Sequence, residues 1–406
     1  MNKVLIGPFS QIVTMDGLND KGHLQDDDLT VIENAGVLVQ SGMIIALGEF
    51  SALSTQADKI HELTAPSVLV PGFIDVHTHI CFAGSRASDY ALRLSGKTYQ
   101  EIAARGGGIL DTVRKTREAT KEELIANLLE RTEILLRRGI TTSEVKSGYG
   151  LSVESEIKML EAINEASSRQ PVDLLPTCLA AHTRPWEFSD PKEYLDYLSH
   201  DLLPLLIEKK LTNRIDIFVE EGAFSLEESR AYLLNAESLG FSLSLHADQF
   251  TRGGALLAAE LGAQTADHLE QSTMEDLQAL AKAGVTPVAL PGASLGLGMR
   301  FAPARQMLDC NLPLVIASDW NPGSAPMGDL LTQAAILGTA EKLTMAETLA
   351  AITCRAAKAL SLTDRGLLKA GMRADMVVFP CKDYREILYH QGSMKPSQIF
   401  VKGQDY

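Results

Sequence analysis

The chain has 406 residues and a formal net charge of −15, with 45% hydrophobic and 22% charged residues. That length allows a large core plus a smaller accessory unit, and the composition is that of a globular protein. The negative charge and the lack of any Lys/Arg block argue against a nucleic-acid surface, because phosphate binding needs concentrated positive charge.

The compartment can be inferred from the cysteines and the N-terminus. The five cysteines are scattered and contain no CxxC pair, which is typical of reduced thiols rather than of a disulfide framework. The short apolar stretch MNKVLIGPFSQIV soon turns polar and has the features of neither a signal peptide nor a membrane span. We therefore predict a cytoplasmic protein with no membrane association.

Short strands are predicted at both ends of the chain. AGVLVQSGMIIALGE holds two β-rich runs that meet at Ser41-Gly42, which indicates a hairpin. Near the C-terminus, GMRADMVVF and SQIFVKG are again short strands bounded by glycine and charge. We predict that residues 1–66 and 364–406 together form one small β-sandwich domain.

Residues 67–363 alternate instead between strands and helices. KEELIANLLERTEILLRRG has helical periodicity, a capping box of Thr120 and Glu123 at its start, and Gly139 at its end. Eight strand candidates occur: GFIDVHTHI, GITTSEVKS, VDLLPTCLAAH, RIDIFVEEGAF, FSLSLHADQF, AQTADHLE, GVTPVALPGAS and PLVIASDW. This pattern predicts an α/β fold, a (β/α)8 TIM-like barrel. A doubly wound sheet is disfavoured, because Gly106–Gly108 follows no strand and we interpret it as a loop.

Ionisable residues are concentrated where the predicted strands end. They are His77, His79, Glu144, Lys146, His182, Glu220, Glu221, His246, His268 and Asp319. A (β/α)8 barrel forms its active site at this end of the strands. Burying so many ionisable groups without partners would be costly, and a metal ion would compensate for that cost.

The two closest histidines suit a metal by their spacing. Residues two apart on a strand face the same side, roughly 6.6 Å apart, and imidazoles so placed can bind one cation at about 2.1 Å. Alone, His77 and His79 are equally compatible with core histidines, and Asp319 with a helix N-cap. Their joint occurrence with His246 at one end of one barrel predicts a shared metal site.

These motifs resemble the amidohydrolase superfamily. The resemblance lies in PGFIDVHTH, a histidine late on the fifth strand, another on the sixth, ASDW on the eighth, and the closing segment GMRADMVVF. Within the superfamily, the imidazolonepropionases are the most similar family. The motifs that carry this likeness span nearly the whole chain: HTHICFAGSR, GKTYQEIAARGGGI, TTSEVKSGYGL, AAHTRP, HADQF and SDWNPGS.

The resemblance implies a metal-dependent hydrolase with one zinc or iron ion. The implied ligands are His77, His79, His246 and Asp319. Other branches bridge two metals with a lysine on the fourth strand, but RIDIFVEEGAF contains none, so a single metal is expected. Lys146 lies on the second strand, where an ion pair with Glu144 is the better interpretation.

The implied reaction is hydrolysis of the cyclic amide of 4-imidazolone-5-propanoate to N-formimidoyl-L-glutamate, a step of histidine degradation. A metal-bound hydroxide would attack the ring carbonyl, while Asp319 shuttles the proton and His268 stabilises the oxyanion. The implied substrate-binding residues are Arg86, Tyr149, His182, Gln249, Asn321, Gly323 and Ser324, with Tyr99 a weaker candidate. Arg86 would bind the propionate.

Gln249 occupies a position where some relatives carry a carboxylate. An amide cannot accept the proton, so we assign Gln249 to hydrogen bonding with the ring.

Two other functions remain open. A heterocycle deaminase of the same superfamily would share the metal site, but it would leave Arg86 and the NPGS loop without a role. A relative without catalytic activity could keep the barrel as a binding scaffold, but it would not need the complete set of metal ligands. Zinc and iron are not distinguished by imidazole and carboxylate ligands, and a homodimer is common among relatives of this kind.

Overall fold

The computed structural model of the protein describes residues 2–97, 101 and 106–406. The described strands form two sheets, one parallel and one assembled from both chain ends. In chain order the strands are β1 (Val4–Val13), β2 (Val31–Gln40), β3 (Met43–Glu49), β4 (Lys59–Glu62), β5 (Val68–Pro71), β6 (Phe73–Asp75), β7 (Ile140–Lys146), β8 (Asp173–Ala181), β9 (Arg214–Phe218), β10 (Ser242–Ala247), β11 (Thr265–His268), β12 (Thr286–Ala289), β13 (Val315–Ile316), β14 (Met376–Phe379), β15 (Gln398–Val401) and β16 (Gln404–Asp405).

Helices separate the strands of the parallel sheet. The described helices are α1 (Phe50–Ser54), α2 (Ala87–Leu94), α3 (Ile109–Glu118), α4 (Lys121–Arg137), α5 (Val153–Ser168), α6 (Pro191–Tyr197), α7 (Leu203–Glu208), α8 (Leu226–Ser238), α9 (Gly254–Glu260), α10 (Met274–Ala283), α11 (Pro291–Leu297), α12 (Ala304–Asp309), α13 (Leu330–Glu341), α14 (Met345–Ala351), α15 (Cys354–Ala359) and α16 (Arg385–Tyr389). The predicted capping box of Thr120 and Glu123 is confirmed at the start of α4. Gly139 follows the end of α4 with a φ of 85°, a conformation that glycine adopts without strain.

The eight strands β6 to β13 lie side by side in chain order and each pair is parallel. A bridge between Thr78 and Trp320, just beyond β6 and β13, joins the first strand to the eighth. Two backbone hydrogen bonds accompany it, from His79 N to the Trp320 carbonyl (2.9 Å) and from Asp319 N to the His77 carbonyl (3.0 Å). The predicted (β/α)8 barrel is therefore confirmed, and it closes at the end that carries the predicted metal ligands.

The second sheet combines both chain ends. Its order is β16-β15-β14-β5-β1-β2-β3, with β4 paired to β1. The predicted hairpin is present between β2 and β3, with Ser41 and Gly42 both at positive φ (55° and 80°), as its two-residue turn requires. β5 pairs with both β1 and β14, so this sheet reaches Pro71, past the predicted boundary at residue 66. The division of the chain into domains at residues 67 and 363 stays a prediction.

The two faces of the second sheet belong to different hydrophobic clusters, one of which also contains barrel residues. Alternating side chains of the second sheet, such as Val37, Val39, Met376 and Val378, share one cluster, because a strand turns every other residue to the same face. A larger cluster lies between the barrel strands and the outer helices. In the part of the chain that the structure describes, no helix combines the length and apolar character needed to cross a bilayer.

Candidate metal centre

Three buried histidines meet at the closed end of the barrel. His77 and His79 follow β6, His246 lies near the end of β10, and the three residues are at most 3% exposed. The Nε2 atom of His79 is 3.1 Å from that of His77 and 3.3 Å from that of His246. Their ligand atoms all lie within 4.8 Å of one another, which is close enough for one ion to bind all three.

Asp319 approaches the same point from the end of β13. Its Oδ1 atom lies 3.3 Å from His79 Nε2 and 3.6 Å from His77 Nε2. Burial alone would raise the pKa of this carboxyl, but a hydrogen bond with His79 and the surrounding imidazoles outweigh burial and lower the pKa. Asp319 has a φ of 51°, which costs a non-glycine residue some strain. The structure thus brings all four predicted ligands together.

Two carboxylates that the sequence analysis did not single out orient the imidazoles from behind. His77 Nδ1 lies 2.6 Å from Asp267 Oδ2, and His246 Nδ1 lies 3.2 Å from Asp216 Oδ1. A proton held on Nδ1 leaves the Nε2 lone pair free for a metal. Asp216 interrupts the apolar run of RIDIF and Asp267 directly precedes His268. A buried acid within an apolar strand was the available signal.

The electrostatics favour neutral imidazoles. Burial lowers the pKa of His246 to about 4. Burial, together with the Lys146 ammonium, lowers the pKa of His77 well below its ordinary value. Neutral histidine is the form that binds metals. Three imidazole nitrogens and one carboxylate oxygen therefore fit a zinc or non-haem iron ion.

His268 stands beside the triad, its ring centroid 5.3 Å from that of His246 and 5.9 Å from that of His77. Its Nδ1 atom is 3.6 Å from Glu270 Oε2. Burial would lower the pKa of His268, but the Glu270 charge outweighs it, so the pKa is raised. An imidazole N–H beside a metal site can donate a hydrogen bond to a substrate oxygen. Glu270 was also missed in the sequence.

Tyr149 and His182 form one wall of the site. The His182 ring stacks on His79 with centroids 5.2 Å apart, and the Tyr149 ring lies 5.4 Å from His182 and 6.1 Å from His79. His182 Nδ1 is 3.1 Å from the Gly148 carbonyl, an acceptor that places the proton on Nδ1. The Nε2 atom of His182 is then an acceptor for a ligand.

Arg86 and the loop after Asp319 are in contact. A Cβ atom added to Gly323 would lie 2.5 Å from Arg86 Nη1, so the guanidinium packs directly on this glycine. Arg86 Nε donates to Asp89 Oδ2 at 2.9 Å, which fixes the orientation of the group. The side chain of Arg86 is 14% exposed, so it borders the site rather than the bulk solvent.

Asn321 is engaged by its own loop. Its Nδ2 donates to the Asp319 carbonyl (2.7 Å) and to Ser324 Oγ (3.0 Å). Its Oδ1 accepts from the backbone N–H groups of Gly323 (2.7 Å) and Ser324 (2.8 Å). The side chain therefore shapes the turn beside Asp319, and a contact with substrate remains a prediction for all three loop residues.

Gln249 lies on the loop after β10 and is buried. Glu220, at the end of β9, holds this loop: its Oε2 accepts from Phe250 N at 2.8 Å and Thr251 N at 3.2 Å. Glu221, its neighbour in the sequence, is exposed. Tyr99 falls outside the described residues.

Lys146 pairs with Glu144 at 2.8 Å, which confirms the predicted ion pair. It also contacts Asp216, again at 2.8 Å.

The fold and the site define a class, the barrel hydrolases with a histidine-rich metal centre. The amidohydrolase family profile matches residues 104–400. The chain belongs to this family and, within it, to the imidazolonepropionases. It is 41% identical to the imidazolonepropionase of Solibacter usitatus over 389 residues, covering 93% of this chain and 92% of the relative. It is also 41% identical to that of Symbiobacterium thermophilum over 414 residues, covering 99% and 96%. The resemblance drawn from the motifs is confirmed.

Solved structures show the same fold at low sequence identity. A triazine hydrolase variant superposes with a TM-score of 0.77 at 16% identity, covering 99% of this chain and 94% of that chain. An adenosine deaminase of Xanthomonas campestris, solved with bound zinc, gives a TM-score of 0.73 at 18% identity, covering 99% and 92%. At such identities the likeness establishes the architecture alone.

Proposed function

We propose that the protein is a metal-dependent enzyme that hydrolyses 4-imidazolone-5-propanoate to N-formimidoyl-L-glutamate in histidine degradation. The observation that carries this proposal is the 41% identity to imidazolonepropionases over nearly the full chain. The site supports it, because a metal-binding histidine triad lies in the same barrel mouth as residues suited to a small anionic ring.

One zinc or iron ion per subunit would be held by His77, His79, His246 and Asp319. When bound, the ion supplies Lewis acidity, which makes a water molecule more acidic and polarises a carbonyl group. The neutral imidazoles and their carboxylate partners favour such binding. The geometry does not distinguish zinc from iron, and both remain in the proposal.

Asp319 would transfer the proton, and His268 would stabilise the negative charge that develops on the substrate. Hydrolysis adds water across the cyclic amide: oxygen bonds to the ring carbonyl carbon, the C–N bond breaks, and a proton reaches the leaving nitrogen. Asp319, ionised because its pKa is lowered, would accept the water's proton and return it to that nitrogen. His268 would donate a hydrogen bond to the carbonyl oxygen as negative charge develops there.

The remaining residues would bind and orient the substrate. Arg86 would bind the propionate through its terminal nitrogens, since its Nε is taken by Asp89. Tyr149 and His182 would face the ring from the wall they share. Gln249 would hydrogen-bond the ring, and the turn formed by Asn321, Gly323 and Ser324 would hold both Arg86 and the product.

A heterocycle deaminase is the second candidate, since the adenosine deaminase neighbour shares the fold. The half-buried Arg86 beside Gly323 argues against it, because a neutral nucleobase offers no anion to the terminal nitrogens that Asp89 leaves free.

The test is to purify the protein, determine its metal content, and measure hydrolysis of imidazolone propionate beside deamination of cytosine and guanine. We expect turnover of the imidazolone alone, lost with a chelator and restored by zinc or iron. Turnover of a nucleobase alone would reject the proposal.

Sedimentation can test the predicted homodimer in the same preparation. We also propose a cytoplasmic location, which the five unpaired cysteines support.

A further inference from the structure

A buried lysine connects the acids behind the triad. Lys146 Nζ lies 2.8 Å from Glu144 Oε1, 2.8 Å from Asp216 Oδ2 and 3.9 Å from Asp267 Oδ2. All four side chains are at most 2% exposed. One ammonium group is therefore shared by three carboxylates within the barrel.

The position of these residues follows from barrel geometry. Glu144 and Lys146 lie on β7, Asp216 on β9 and Asp267 on β11, which are the second, fourth and sixth barrel strands. Alternate strands of a (β/α)8 barrel contribute to the same interior layer, usually with branched apolar side chains. Here the layer is charged and lies beside the histidines. Replacing an apolar layer with buried charges is costly, which indicates a role for this layer beyond stability.

The lysine is coupled to the imidazoles through two of its acids. Asp216 faces Lys146 Nζ with Oδ2 and His246 Nδ1 with Oδ1, and Asp267 Oδ2 faces both Lys146 Nζ and His77 Nδ1. Each carboxylate is thus placed between an ammonium on one side and an imidazole on the other. Glu144 differs, because its other contact is with the backbone N–H of Thr78.

The pKa directions of Lys146 and Asp216 agree with this geometry, whereas burial raises the pKa of Asp267 to about 7. Burial would lower the pKa of Lys146, but the charges of Asp216, Glu144 and Asp267 outweigh it and raise the pKa. Burial would raise the pKa of Asp216, but His246 and Lys146 outweigh it and lower the pKa.

We propose that Lys146 is a positioning residue for the metal centre: its ammonium holds Asp216 and Asp267 where they fix the Nδ1–H tautomers of His246 and His77. With those tautomers fixed, both Nε2 lone pairs point at the metal position. The inference rests on the metal-dependent function proposed above. A purely structural ion pair would stabilise the barrel without influencing the imidazoles.

The test replaces Lys146 with methionine, which keeps the length of the side chain but removes its charge. Zinc affinity is measured by competition with a chelator, and histidine tautomers by long-range ¹H–¹⁵N spectra of the metal-free protein. We expect zinc to bind about 10- to 100-fold more weakly, the usual effect of losing a group that orients metal ligands. We also expect the Nδ1–H signals of two of the nine histidines to be lost.

Lys158→Met is the matched control. Lys158, on α5, donates to three backbone carbonyls, those of Thr116, Arg117 and Ala119, and so tests the loss of a hydrogen-bonded lysine outside the barrel. Its zinc affinity and histidine spectrum should equal those of the parent. Should Lys146→Met fail to fold, the double variant Lys146→Gln, Glu144→Gln removes one charge of each sign and should show the same two changes.

A folded Lys146 variant with parental zinc affinity or unchanged tautomers would overturn the inference. These readouts are independent of the reaction. If the parent binds zinc but does not hydrolyse imidazolone propionate, the proposed function fails while the role of Lys146 can still be supported. If the parent hydrolyses imidazolone propionate and the Lys146 variants bind zinc normally, the proposed function is supported and the role of Lys146 is rejected.

Discussion

Replacing Arg86 with alanine tests how the protein recognises its substrate. The guanidinium is 14% exposed and packs on Gly323, and its Nε donates to Asp89 Oδ2 at 2.9 Å. Within the described residues, this leaves the terminal nitrogens as the edge that can face a ligand. A carboxylate is the group that this planar edge recognises best.

The size of the effect follows from these contacts. Removing one partner of a buried charged pair costs about 2–5 kcal/mol. Asp89 already neutralises part of the Arg86 charge and some solvent reaches the group, so we expect the lower end, about 2–3 kcal/mol. This corresponds to a fall in kcat/KM of about 30- to 150-fold. The change should appear mostly in KM, because the propionate is remote from the bond that breaks.

The assay compares two substrates, 4-imidazolone-5-propanoate and the same ring with a propionamide side chain. The parent should prefer the acid, and Arg86→Ala should lose most of that preference because neither substrate then has a cationic partner. Arg114→Ala, which removes an exposed surface arginine, is the control and should behave as the parent. If Arg86→Ala still prefers the acid as strongly as the parent does, Arg86 is not the carboxylate anchor.

Three further outcomes are expected. Gly323→Ala should also raise KM, because the new Cβ would lie 2.5 Å from Arg86 Nη1 and displace it; an unchanged KM in steady-state kinetics would contradict this contact. Asp319→Asn should lower kcat by about 10²- to 10⁴-fold with an unchanged circular dichroism spectrum; undiminished activity would exclude the proton shuttle. Burial raises the pKa of Asp75 to about 7, so its contribution to stability is complete below about pH 4 and is lost as the pH rises through 7. Asp75→Asn should therefore be more stable than the parent to urea at pH 8, and this gain should shrink towards pH 5; a pH-independent difference would refute the assignment.

Local patterns in the sequence predicted most of the fold. The short apolar runs and the capping box at Thr120 identified the strand and helix segments, because both signals depend on neighbouring residues alone. The same reasoning placed His77 and His79 on one face of a strand; in the structure β6 ends at Asp75 and both histidines follow it, although their side chains still converge. The roles of the substrate-binding residues came from motif resemblance rather than from geometry.

Contacts between distant segments were not predictable in this way. Asp267 is 190 residues from the imidazole it orients, and Asp216 is 30 residues from His246. A buried acid in an apolar strand signals that some partner exists, but its identity depends on which strands become neighbours across the barrel.

The sequence by itself determined the order of strands and helices and which side chains each strand turns inward, since alternation along a strand is a property of the backbone. Only the tertiary structure decided that the first and eighth strands join at Thr78 and Trp320, which brings Asp319 to the histidines. It also decided that Lys146 and two acids lie behind those histidines. Both depend on closure of the sheet, a long-range event that no local run of residues encodes.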